Sequence, residues 1–195
     1  MYFDYIKIPA DEAYTLRKCF IDNFVDTSHK LFVSCIRDLK ATDTVKAEDY
    51  RVSFLWSCLK KNNNYMVDFY DAMRYLYRRY NDRVFVMWDI RAGNVIYPEE
   101  WKSYKSYVPE CEILMKSDEV IAVEPKELCD VLLHDHHIEA HKIGDISRYF
   151  LREDVYVFDN TFTWYIALTH EECTADNKKR LCFSNVIDIV QKQGE

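Results

Sequence analysis

Glycine is scarce, with only 3 in 195 residues. Scattered as Gly93, Gly144 and Gly194, they cannot form the loop that wraps a nucleotide's phosphates. The 4 prolines form no cluster, so no flexible linker or low-complexity tract divides the chain. Residues 1–195 therefore read as one globular domain. No apolar run approaches the ~20 residues needed to span a bilayer. The opening MYFDYIKIPADE lacks a basic region, an apolar region and a cleavage site, which predicts a cytoplasmic protein with no membrane association. The 7 cysteines (Cys19, Cys35, Cys58, Cys111, Cys129, Cys173 and Cys182) are odd in number and contain no CxxC pair. That is unlike a zinc ribbon or a secreted disulfide scaffold and predicts reduced, mostly buried thiols. Excess positive charge is also missing. A formal charge of −7, from 33 acidic and 26 basic side chains, repels phosphate backbones and sets nucleic acid aside as a partner. The same acidity suits a basic protein partner, and it equally serves to keep a soluble protein dispersed.

What is present is apolar surface. Hydrophobic residues make up 49% of the chain and aromatics 15%, ample for a packed interior. Its organising stretch is Asp154 to Glu171, DVYVFDNTFTWYIALTHE. Val155 and Val157, then Trp164, Ile166 and Leu168, alternate as expected of strands on a pleated surface. Between them Asp159, Asn160 and Thr161 favour a turn, so the pattern predicts a β-hairpin contributing to the core, with Thr169, His170 and Glu171 at its rim.

Read from the start, Tyr2 to Ile8 predicts a short edge strand closed by Pro9. Asp11 is placed to cap a helix whose apolar positions Tyr14, Leu16, Cys19, Phe20, Phe24 and Val25 recur at helical steps. A second helix is expected from Ser28 through Leu39, and a third stripe at Val52, Leu55, Trp56 and Leu59. Asn63 or Asn64 would cap a fourth helix, with Met66, Phe69, Tyr70, Met73, Leu76, Tyr77 and Tyr80 on its apolar face and Arg74, Arg78 and Arg79 largely off it. Val84 to Ile90 reads as a central strand buried on both faces. Further strands are expected at Ile113 to Met115 and Val120 to Val123, and a helix from Pro125. Leu181 to Val190 satisfies neither template. The sum is an α+β fold, a single mixed or antiparallel sheet with helices mainly on one side and a helical N-terminal third.

Three groups carry candidate chemistry. His134, His137 and His141 sit at three- and four-residue steps, so they share a helix face and could hold a metal. The stretch is not HExxH, however, and exposed histidines at a helix end explain it without an ion. The expectation is no metal and no cofactor. His170 could serve as a general base oriented by Glu171 or Asp159, although neighbours on a strand point to opposite faces and a strand-end histidine also has purely structural uses. Trp101, Tyr104 and Tyr107, interleaved with lysines and glutamates, suit a protein interface and equally a half-buried helix.

The hairpin stretch, together with LRKCFIDNF and FLWSCL upstream, resembles a family of small uncharacterised bacterial proteins in which an aspartate-bearing strand, a tryptophan and a closing Thr-His-Glu recur near the C-terminus. The resemblance implies a bacterial, cytoplasmic protein and transfers no catalytic residues. Small acidic proteins of this build also look like the immunity partners of bacterial polymorphic toxins. The expected function is therefore non-enzymatic binding of another protein, in particular an immunity protein that neutralises a toxin. The alternative is a small hydrolase or metal-dependent enzyme using a histidine and a carboxylate.

Overall fold

The computed structural model describes residues 4–34, 55–79, 82–89, 120–137, 154–173 and 179–190. Seven strands form one sheet: β1 (Tyr5–Lys7), β2 (Tyr65–Val67), β3 (Val84–Trp88), β4 (Val120–Val123), β5 (Val155–Phe158), β6 (Tyr165–Cys173) and β7 (Lys179–Ser184). They are ordered β1-β4-β3-β5-β6-β7-β2, and every pairing is antiparallel. Among the described residues, helices α1 (Ala10–Phe24), α2 (Phe69–Tyr77), α3 (Pro125–His137) and the single turn α4 (Ile187–Val190) pack on the sheet, and a further helix begins at 30–34. The fold is α+β with an antiparallel sheet.

Two cores result, one on each face. Val84, Val86, Trp88, Ile121, Val123, Val155, Val157, Ile166 and Leu168 face α2, α3 and Ile189 of α4. The intervening residues Met87, Val120, Ala122, Tyr156, Phe158, Tyr165 and Ala167 face α1 and the 3-10 turn Leu55–Cys58. Helices thus lie mainly on one side, as expected, but α1 covers the other so fully that both faces of the hairpin are buried. Because period-2 alternation puts opposite faces on neighbouring residues, the aromatic residues at 156, 158 and 165 needed a cover of their own. Phe20 of α1 supplies its centre, with ring centroids 5.1 Å from Phe158, 5.3 Å from Tyr156 and 6.0 Å from Tyr165.

Helix α1 buries Ala13, Leu16, Arg17, Phe20, Ile21 and Phe24, the three- and four-residue steps of one face. Asp11 is not its cap. Pro9 occupies that position without a side-chain hydrogen bond, and Asp11 and Glu12 lie in the first turn, where they favour the positive end of the helix dipole. At the other end the Lys60 ammonium donates to the carbonyls of Asp22 (2.9 Å) and Asn23 (2.8 Å). The second helix is under way at 30–34. The third stripe is not an α-helix where described: Leu55–Cys58 is a 3-10 turn, and Leu59 bridges to Val25. The helical N-terminal third is accordingly only partly realised.

That turn is bolted to the sheet by polar groups. The Asp89 carboxylate accepts the Leu55 N–H at 3.2 Å, and the Tyr156 hydroxyl accepts the Trp56 N–H at 2.9 Å. Burial first, then the charges of Asp89 and Asp154 and a hydrogen bond to Asp89, push the Tyr156 phenol well above its usual 10, so it stays a neutral donor. On α1 the buried Arg17 donates to the Trp88 carbonyl at 3.0 Å. Tyr156→Phe is expected to lower stability by about 1–3 kcal/mol, since a carboxylate and an N–H each lose a buried partner. Urea denaturation measures it. The sign with pH follows: above pH 10 the unfolded chain releases this proton and the folded one retains it, so stability falls. The variant should show a shallower alkaline loss than wild type.

The fourth helix begins later than expected. Asp68, not Asn63 or Asn64, is its cap, accepting from the N–H groups of Tyr70 (2.8 Å) and Asp71 (3.3 Å). Met66 belongs to β2, paired with Phe183, and is 62% exposed. The edge strand β1, the internal strand β3, the strand at 120–123 and the helix from Pro125 stand as expected. Leu181 to Val190 fits neither template because it contains the end of β7 and then α4. The strand expected at Ile113 to Met115 lies outside the described residues.

Candidate functional site

The hairpin turn and the end of α2 build a buried polar centre around Asp159. Strands β5 and β6 pair from Val155↔Leu168 to Phe158↔Tyr165, which brings the turn residues 159–164 together above the α2 face. Asp159, 5% exposed, accepts from the Thr161 N–H at 3.0 Å, the Thr161 hydroxyl, the Trp164 indole N–H and Arg79 Nη1 at 3.1 Å. The Thr161 hydroxyl lies 2.8 Å from that of Thr163. Turning back in so few residues puts Phe162 at φ 50, a left-handed conformation uncommon outside glycine. Its ring packs against Phe158 at 5.6 Å.

Arg79 follows the last turn of α2, its N–H bonded to the Leu76 carbonyl at 3.0 Å. The guanidinium carbon lies 4.7 Å from the Trp164 ring and 5.0 Å from the Tyr75 ring, and those rings meet edge-on at 5.6 Å. Arg79 Nε donates to the Tyr75 hydroxyl at 3.0 Å. Desolvation chiefly raises the Tyr75 phenol above its usual 10, so the hydroxyl keeps its proton. A guanidinium carries five N–H donors. Two are spent here, and the other three have no acceptor among the described residues.

Cavities flank this arginine. One of about 190 Å³ is lined by Asp71, Arg74, Tyr75, Arg78, Arg79, Asp188 and Ile189. The other, about 450 Å³, lies between Arg79, Arg83, Phe85 and the turn residues 159–161 and 163. Tyr77, beside Arg78 in sequence, is 48% exposed, and Ile187, beside Asp188, is 56% exposed. Rigid aromatics, arginines and exposed apolar residues are the makings of a binding surface.

Asp159 and His170 are not brought together. Tyr165 pairs with Phe158, next to Asp159, and His170 stands five residues farther along β6, roughly 17 Å away at about 3.3 Å per residue. Nor does the strand end at Glu171. It continues to Cys173, and between Leu168↔Cys182 and Glu172↔Arg180 the pairing slips, with Thr169, 0% exposed, donating its hydroxyl to the Leu181 carbonyl at 3.1 Å. His134 and His137 fall at the end of α3. His141, Trp101, Tyr104 and Tyr107 lie outside the described residues. Among the described residues no three ligand-type side chains are grouped to hold a metal ion.

A cysteine and a histidine distant in sequence do meet: Cys58 Sγ lies 3.5 Å from His29 Nδ1. At 1% exposure that thiol is closed to a substrate, and the contact packs the 3-10 turn against the chain after α1. Burial pushes the Cys129 thiol up to about 12 and the Cys182 thiol higher, making both inert. Sequence spacing placed Arg79 off the apolar face of its helix and gave no reason to single it out. A tryptophan five residues after an aspartate in a turn was the available signal.

Fold and site together define a class, an α+β protein whose described polar centre presents an immobilised arginine between two cavities. No family model, curated protein or solved structure matches the chain. Among the described residues no helix is long and apolar enough to cross a membrane.

Proposed function

We propose that the protein is a non-enzymatic, cytoplasmic binder of another protein, of the immunity type that neutralises a bacterial toxin. The observation that carries this reading is Arg79, locked against Trp164, Tyr75 and Asp159 with three N–H donors unspent among the described residues; Tyr77 and Ile187, next in sequence to the cavity residues Arg78 and Asp188, are exposed. An anchor held in one conformation before binding loses little entropy on binding, and arginine and tyrosine dominate interface energies. Cys19, Cys58, Cys129 and Cys182 form no disulfide, which suits a reducing compartment, and the resemblance of the hairpin stretch to small bacterial proteins supports the source. Trp101, Tyr104 and Tyr107 are proposed as a second contact. Of the two carboxylates considered for the enzyme alternative, Asp159 is occupied by four donors at the far end of the hairpin from His170, which leaves Glu171 for that reading.

Co-expression with toxins from the same locus tests the reading. Tyr77→Ser with Ile187→Ser, and Trp101→Ala with Tyr104→Ala, should each weaken partner binding by about 2 kcal/mol or more and reduce protection. His170→Ala should leave both intact. Calorimetric titration gives the affinities after each variant is shown to fold. Protection kept by both double variants and lost with His170→Ala would overturn the binding reading and favour the enzyme.

A further inference from the structure

We propose that the 190 Å³ cavity between α2 and α4 receives a side-chain carboxylate, from an aspartate or glutamate on the surface of the partner protein. This rests on the protein-binding reading and names the chemistry of the contact. Arg74, Arg78 and Arg79 line the cavity with Tyr75, and they are not equally committed. Arg74 is bound to Asp71 at 2.7 Å, and Arg79 to Asp159 at 3.1 Å. Arg78 has no side-chain partner among the described residues. An incoming carboxylate therefore meets, at Arg78, a guanidinium that forms no ion pair among the described residues although Asp188 shares the cavity wall, and at Arg79 donors of a guanidinium already paired with Asp159. The Tyr75 hydroxyl adds another donor, since it accepts from Arg79 Nε and has its own proton left to give.

Charge and size select among anions. Asp71, Asp159 and Asp188 stand around the three arginines. The three aspartates balance the three arginines in charge, so a carboxylate adds one negative charge opposite Arg78, whereas a dianionic phosphate adds two to the same balanced group. Small-molecule sites usually enclose about 300–1,000 Å³. At 190 Å³ this cavity takes the end of one side chain projecting from a larger surface. Tyr77 and Ile187, exposed beside Arg78 and Asp188 in sequence, offer apolar area for the rest of that surface, and Asp188 offers an anion to a cation flanking the partner's carboxylate. Arginine suits the role because its planar fork matches a carboxylate's two oxygens.

The test uses the full chain, isotope-labelled so that arginine Nε–H and the Trp164 indole N–H are seen by NMR. The probes are N-acetyl-glutamate N-methylamide, its uncharged glutamine counterpart and inorganic phosphate. The expected result is a saturable shift of the Arg78 and Arg79 signals with the glutamate probe, at least about tenfold weaker with the glutamine probe, and no tighter response to phosphate. Arg78→Gln should weaken glutamate binding by about tenfold or more while leaving the Trp164 indole signal in place, which shows that the fold is intact. Equal response to the glutamine probe, tighter binding of phosphate, or no saturable shift in the wild type each overturns the proposal. The two readings fail separately. Absent glutamate binding, with protection lost on changing Tyr77 and Ile187, removes the carboxylate subsite and leaves the binding face. Glutamate bound, with protection untouched by that change, makes the cavity a carboxylate site for something other than this partner and overturns the proposal with the reading it rests on.

Discussion

Trp164→Ala is expected to destabilise the protein by about 3–5 kcal/mol, a large part of the about 5–15 kcal/mol that holds an ordinary domain folded. The side chain is 3% exposed and belongs to the core beneath α2, so truncation leaves a cavity bounded by a sheet and a helix that cannot both collapse into it. Two further contacts go with it. Asp159 loses the indole N–H, and Arg79 loses the ring beneath its guanidinium. Trp164→Phe separates these contributions, because it restores most of the ring and none of the hydrogen bond. It should recover more than half of the loss. Urea denaturation with an unchanged slope is the measurement, and a Trp164→Ala protein as stable as wild type would show that this side chain is not part of the core.

The second large effect is at Asp159. Asp159→Ala should cost about 2–4 kcal/mol, because a buried indole N–H and a backbone N–H lose their acceptor and Arg79 loses its anion. Arg79 is 30% exposed in its side chain, and water screens its share of the loss, so most of the cost falls on the orphaned indole and the opened turn. A double-mutant cycle with Arg79→Met isolates the pair. A coupling energy near zero would mean that the turn is held by Thr161 and Trp164 alone, and that Arg79 is not locked by its aspartate.

Elements whose signal is local were legible in the sequence. The spacing of Leu16, Phe20 and Phe24 defines α1, and the run from Pro125 through Leu132 defines α3, because a helix satisfies its hydrogen bonds within itself. The hairpin was legible because two alternating runs flank an Asp-Asn-Thr turn. Met66 was misassigned because the helical period of residues 69–77 extends by chance to 66. What decides its state is the pairing of Tyr65–Val67 with Cys182–Ser184, a partner no local pattern can reveal. The Leu55–Cys58 turn likewise depends on Asp89 and Tyr156 reaching across to its N–H groups.

The amino-acid sequence by itself determined the class of this protein: apolar alternation and helical periods enough for an α+β core, too little glycine for a phosphate loop, and no apolar run long enough to span a bilayer. Tertiary structure decided the strand order, the burial of the hairpin on both faces, and the centre at Arg79. The physical reason is range. Periodicity reports which face of an element is apolar, but Arg79 meets Asp159 across 80 residues of chain, and only the closing of the sheet over α2 turns an arginine from a helix end into a fixed donor beside Trp164.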